Sequence, residues 1–225
     1  MKIMIYPDKL KKGDSVGITA VSATSNAQKI DLAIDNIMSL GLNVVETDNV
    51  RKDEGVVSSS GKQRAEELLE LYKDTNVKYI IAARGGEFLM EMLPYLDEHQ
   101  DVMRNNPKWF QGFSDPSLLN LYITTKFNIA TIHMENISDY AMNPRYKSIQ
   151  DCIDFMFSND EELVQESYPK YQKSEYDEGN TKGYNLTEEN VYECDTNDVE
   201  FEGRIIGGCI DTFSLISGTK MDNIN

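Results

Sequence analysis

The tetrapeptide Gly112-Phe113-Ser114-Asp115 places a serine at the apex of a tight turn, between the strand-like segment 108–111 (KWFQ) and Pro116. In a strand–turn–helix elbow the serine Oγ is pushed out at the C-terminal edge of a sheet. The helix N-terminus behind it then offers backbone N–H groups to a developing oxyanion. That is the chemistry of an acyl-transfer nucleophile. A serine ahead of Asp-Pro is also an ordinary helix N-cap, so the motif alone leaves both readings open. Arg84-Gly85-Gly86 also follows an apolar run directly, and so belongs to the same sheet edge. Two glycines let the backbone approach a substrate and can present a second oxyanion donor, although a plain strand-end turn uses the same residues. The segment matches neither G-x-G-x-x-G nor a P-loop, which gives nucleotide binding through such a loop little support.

An activated serine needs a general base, most often histidine. The chain has two, His99 and His133. His99 lies in the polar stretch Asp97-Glu98-His99-Gln100-Asp101 and reads as a solvated surface residue. His133 follows the strand-like run 129–132 and reads as a structural or substrate-side histidine. No convincing triad assembles from these residues. Cys152, Cys194 and Cys209 are widely spaced, form no CxxC pair, and are expected as reduced thiols, with no metal site and no cofactor. Cys209 reads as a structural thiol in an apolar helix.

The elements that would hold these residues alternate. Strands are expected at 15–21, 42–47, 77–83 and 108–111, and helices at 28–40, 63–72, 88–95 and 117–126. Ser58 to Ser60 can cap the second helix, and Pro116 suits the first turn of the fourth. This order implies an α/β domain, a mostly parallel sheet with helices on both faces, over residues 1–160. Residues 161–200 are acidic and weakly periodic, an expected inter-domain linker. A strand at 201–206 and an apolar helix at 209–216 would begin a second α/β domain, too short by residue 225 to build its own core, so that the segment packs on the first domain or the chain is incomplete.

The chain has 225 residues, 40% hydrophobic, enough for a packed core, and a formal net charge of −16. Such acidity argues against a nucleic-acid surface, which needs a basic stripe. No apolar run approaches bilayer length, and residues 1–14 lack a secretory signal, so a cytoplasmic location is expected and no membrane partner.

Several segments together resemble the LD-carboxypeptidase and microcin C immunity family of serine peptidases. They are 6–22 (YPDKLKKGDSVGITAVS), 61–72 (GKQRAEELLELY) with 76–86 (NVKYIIAARGG), 93–97 (LPYLD), 106–108 (NPK), 112–115, and 202–211 (EGRIIGGCID) with Gly218-Thr219. The resemblance implies a flavodoxin-like first domain, with Ser114 as nucleophile and the backbone N–H groups of Gly86 and Asp115 as oxyanion hole. Arg84, Gly85 and His133 then fall on the substrate side. It further implies a carboxypeptidase that cleaves an amide beside a free carboxylate, in a small peptide or a peptidyl-nucleotide, and that works as a homodimer. The family's triad is completed by a glutamate and a histidine beyond the segment that resembles 202–219, so the chain as given is expected to be inactive alone. The alternative is a degenerate, non-catalytic peptide-binding relative. Glu87-Phe88-Leu89 departs from the small or aromatic residues usual after the double glycine.

Overall fold

The computed structural model describes residues 3–160, 162–174, 179–193, 195 and 199–223. Four strands, β1 (Ser15–Thr19), β2 (Asn43–Glu46), β3 (Val77–Ala82) and β4 (Trp109–Gln111), form one sheet in the order β2-β1-β3-β4, parallel throughout. The chain extends this sheet beyond β4. Ile132 bridges Gln111 and Ile5 bridges Ile129, so residues 129–132 run alongside β4 and the N-terminal segment covers them in turn. Ile5 N–H donates to Asn128 O at 2.7 Å and Ala130 N–H donates to Ile5 O at 2.8 Å.

Strand side chains alternate between two cores, because successive residues point to opposite faces. Val16, Ile18, Tyr79, Ile81 and Trp109 enter one core, against helices α1 (Ala27–Met38) and α6 (Lys147–Phe157) and the 3-10 turn Ile137–Ala141. Ile80, Ala82 and Phe110 enter the other, against α2 (Gly61–Lys73), α3 (Leu93–Glu98), α4 (Gln100–Asn105) and α5 (Ser117–Phe127). The doubly wound α/β architecture expected from the sequence is thus the one observed. Ser60 caps α2 by accepting from Gln63 N–H at 3.3 Å.

Four local expectations need correction. The single helix expected at 88–95 is a 3-10 turn, Leu89–Met92, followed by α3 and then α4, and Pro94 sits in the first turn of α3. Helix α6 was not among the expected elements. Residues 201–206 form no strand. No strand among the described residues pairs with the run, and Phe201 and Ile205 stay exposed. The helix expected at 209–216 is shorter, α7 (Ile210–Ser214), and it packs on α5, carrying Ile216 and Met221 into the core on that face of the sheet. Between these regions a small antiparallel ladder forms from β5 (Lys170–Tyr171) and β6 (Glu188–Glu189). Cys194 lies outside the described residues. Cys152 is buried and Cys209 half-buried, both as free thiols.

Candidate active site

The connections after β1 and β3 diverge at the C-terminal edge of the sheet, where the chain leaves β1 for β2 on one side and β3 for β4 on the other. Ligands of open α/β sheets bind at such a switch point. A cavity of about 190 Å³ lies here, lined by Ser25, Lys29, Arg84, Gly85, Gly86, Phe113, Ser114, Asn136, Ser138 and Asp139. Three of the residues singled out at the 84–86 turn and the nucleophile itself therefore meet in one place.

Ser114 has φ 64° and stays half-exposed, a left-handed residue at the apex between β4 and α5. A non-glycine residue costs about 1 kcal/mol in that region, and such strain clusters at functional turns. Neighbouring bonds hold it there. Ser114 O accepts from Ser117 N–H at 2.9 Å and from Ser117 Oγ at 2.6 Å. Phe113 N–H donates to Asn136 Oδ1 at 3.2 Å. Opposite the apex, a Cβ built on Gly85 would stand 2.9 Å from Ser114 Cβ and 3.0 Å from its Oγ, so the glycine keeps the space before the hydroxyl open. A Cβ on Gly86 would stand 2.2 Å from Ser22 Oγ, so only glycine lets the 84–86 turn pass the end of β1 this closely.

Asp115, 1% exposed, ties the three loops together. Its Oδ2 accepts from Ser22 Oγ, after β1, and from Leu89 N–H at 2.9 Å, after β3. Arg64 does the same from below. Fully buried on α2, it donates to Ser59 O and Val21 O at 2.9 Å, to Phe88 O at 3.1 Å, and pairs with Glu91 at 2.7 Å. Its signal was available in the sequence, because Arg64 stands at i relative to Leu68 and Leu71, a cation in line with an apolar stripe. On the far wall, Lys29 and Asp139 form a buried pair at 3.9 Å. Neither was singled out from sequence, since a lysine in the first turn of a helix carries no pattern of its own.

Arg84 reaches Thr24 O at 3.3 Å and also borders a neighbouring 500 Å³ cavity with Arg51. His133 lines neither. It faces a third cavity, of about 540 Å³, with Tyr6, Asn120, Thr124 and Arg204, where partial desolvation lowers its pKa and leaves the ring neutral at pH 7. His99 is exposed. Among the described residues no histidine borders the Ser114 cavity, and none forms a cluster with metal-binding composition.

Residues 16–134, just over half of the chain, match the LD-carboxypeptidase N-terminal domain family. The chain belongs to the LD-carboxypeptidase family. Within it, the chain is 26% identical over 198 residues to a probable murein peptide carboxypeptidase of Bacillus subtilis, covering 84% of this chain and 61% of that one. It is 27% identical over 127 residues to the microcin C7 self-immunity protein MccF of Escherichia coli, covering 55% and 36%. An MccF-like protein from Bacillus anthracis superposes with a TM-score of 0.79 at 26% identity, over 96% of this chain and 65% of that one. MccF bound to adenosine monophosphate superposes with a TM-score of 0.81 at 22% identity, a likeness of fold that covers 98% of this chain and 67% of that one. The chain is thus shorter than these family members. No helix among the described residues is long and apolar enough to cross a membrane.

Proposed function

We propose that this chain carries the nucleophile of a serine carboxypeptidase that cleaves an amide beside a free carboxylate through an acyl-enzyme on Ser114. The observation that carries the reading is the positive-φ serine packed against Gly85 and bordering a cavity at the sheet's switch point. Ser114 Oγ would attack the carbonyl carbon while its proton passes to a general base. The amine leaves, and water then releases the acyl group from the serine. The N–H groups of Gly86 and Asp115 are the proposed donors to the oxyanion, one from the glycine turn and one from the N-terminus of α5. Arg84 gives the cavity a cation suited to a substrate carboxylate, the charge of Lys29 being met by Asp139, and Gly85 admits the scissile bond. The name of the murein peptide carboxypeptidase supports a small peptide as substrate, and the solved complexes of MccF with aspartyl sulfamoyl adenosine and adenosine monophosphate support a peptidyl-nucleotide. Exposed Ile3, Tyr6, Phe201, Ile205 and Ile210 supply apolar surface consistent with a homodimer, to be tested by light scattering after gel filtration.

With no histidine at the cavity among the described residues, turnover by this chain alone is expected to be low. An oxyanion hole without its base retains about 10³-fold over water. The same observation favours a second reading, a binding-only relative. The two separate by trapping. A fluorophosphonate or an activated acyl ester, with imidazole supplied as a soluble base, is expected to leave an adduct on the peptide bearing Ser114 that is absent from Ser114→Ala. Failure to modify Ser114 at any imidazole concentration, with peptide binding intact, would establish the binding-only reading instead.

A further inference from the structure

We propose that Ser22, just after β1, is a positioning residue for the acyl transfer, its hydroxyl setting the gap between the two N–H groups offered to the oxyanion. Those donors, Gly86 and Asp115, belong to different connections, one following β3 and one just ahead of α5. The space between them is therefore set by whatever holds the two connections together. Ser22 reaches both. It is fully buried, and its Oγ donates to Asp115 Oδ2. The same oxygen leaves no room for a Cβ on Gly86, so the hydroxyl rests against the glycine's main chain.

Main-chain bonds fix Ser22 in its turn. Ser22 O accepts from Ser58 N–H at 3.0 Å, and the next residue, Ala23, donates its N–H to Gly85 O at 3.2 Å. On the far side of the glycine turn Leu89 N–H donates to Asp115 Oδ2 at 2.9 Å, so one carboxylate oxygen gathers residues 22 and 89 on either flank of Gly86. Asp115 Oδ1 is sealed from solvent and has no donor among the described residues. The orientation of this buried carboxylate thus depends on the two bonds to Oδ2. Deleting the Ser22 hydroxyl removes one of them and opens space against Gly86, which gives the turn room to shift relative to α5.

Such a shift matters because oxyanion donors act through preorganisation. Losing one outright costs about 10²- to 10³-fold in rate, and a misplacement of about 1 Å can cost about 10²-fold. A hydroxyl at position 22 would therefore influence the reaction without touching substrate. This role rests on the carboxypeptidase reading, and the experiment below separates the failure of one from the failure of the other.

The test follows acylation of Ser114 in the full chain, with imidazole as soluble base, by para-nitrophenyl acetate and by its thiono analogue, in which sulfur replaces the carbonyl oxygen. In each case Ser114 Oγ attacks the carbonyl or thiocarbonyl carbon, its proton passes to imidazole, and nitrophenolate leaves. Sulfur accepts hydrogen bonds weakly, so the ester gains more from the N–H pair than the thionoester does. The ratio of the two rates, read by mass on the peptide bearing Ser114, therefore reports the donors and not the general exposure of the serine. Ser22→Ala is expected to lower the ester rate about tenfold and the thionoester rate only about twofold, a fall of about fivefold in the ratio. Ser22→Cys, which fills the site with a weaker donor, should lower the ratio about threefold and keeps the test decisive should the first variant not fold. A parent chain acylated by neither reagent would sink the carboxypeptidase reading and this role with it. A parent that is acylated, beside folded variants that keep its ratio whether or not both rates fall, would overturn the role of Ser22 alone.

Discussion

Replacing Glu135 by glutamine should stabilise the chain above neutrality and leave its stability nearly unchanged at pH 5. The carboxyl titrates at about 7 in the folded chain against 4.5 as its ordinary value, chiefly because burial disfavours the anion. An acid whose folded pKa is raised stabilises the fold fully below its unfolded pKa and loses that contribution as pH climbs toward the folded one. The difference of 2.5 units, at 1.36 kcal/mol each, makes ionised Glu135 cost about 3 kcal/mol above pH 7. Glutamine never ionises and avoids that cost, but its amide must remake the bond with Ser148, at about 1 kcal/mol. The variant should therefore be more stable than the parent by about 2 kcal/mol at pH 8. At pH 5 the parent bears only about 0.8 kcal/mol of the same penalty, by the same linkage, and the two should nearly coincide. Urea unfolding of both chains at the two pH values measures the difference of differences, in which every other titrating group cancels. At this chain length the pH 8 gain corresponds to about 4 to 8 °C in Tm. A variant that differs from the parent by the same amount at pH 5 and pH 8 would refute the account, because it would mean that Glu135 does not titrate between them.

Three further outcomes follow from the active-site geometry. Gly86→Ala drives a methyl into Ser22 Oγ and toward Ala23 N, 3.1 Å away, so the turn must shift, with about 1 to 3 kcal/mol lost in thermal unfolding and adduct formation at Ser114 suppressed. Arg64→Met leaves three carbonyl oxygens without their donor and should cost about 3 kcal/mol in a urea midpoint, alongside faster proteolysis of the loops after β1 and β3. Ser114→Gly relieves the left-handed φ and should raise stability by about 1 kcal/mol while abolishing the adduct, a trade of fitness for function readable in one calorimetric scan and one mass spectrum.

Much of the scaffold was legible because buried parallel strands are continuous apolar runs, and those at β1, β2, β3 and β4 appear within a residue or two of their expected places. The elbow was legible because turn, serine and Pro116 fall in a row. Tertiary choices were less so. The run at 201–206 has strand composition yet pairs with nothing, since composition does not say whether a sheet edge is open. Helix α6 goes unassigned in the sequence reading although Ile149, Cys152, Ile153 and Met156 share one face, a signal that was there to be found. Asn136 and Asp139 escaped because they come from a turn 22 to 25 residues beyond the nucleophile, and nothing local marks a polar residue that will be buried against a distant loop. His133 follows an extended segment, as expected, but beside α5 at a different cavity from Ser114.

The strip of main chain around Ile5 has a bearing on colloidal behaviour. It occupies the hydrogen-bonding row of residues 128–130, which would otherwise face solvent as an unpaired ladder, while Ile3 and Tyr6 on either side of it are themselves largely exposed. Among the described residues two backbone bonds hold this cover, so a protease or a rigid N-terminal fusion has little main-chain pairing to break there. Once it is lifted, the edge becomes a template for any extended segment of another molecule, and the exposed segment 201–206, with Phe201, Ile205 and Ile206, is of that kind. Clipping six residues from the start of the chain would thus turn a well-behaved sheet into one that recruits its own copies, strand to strand.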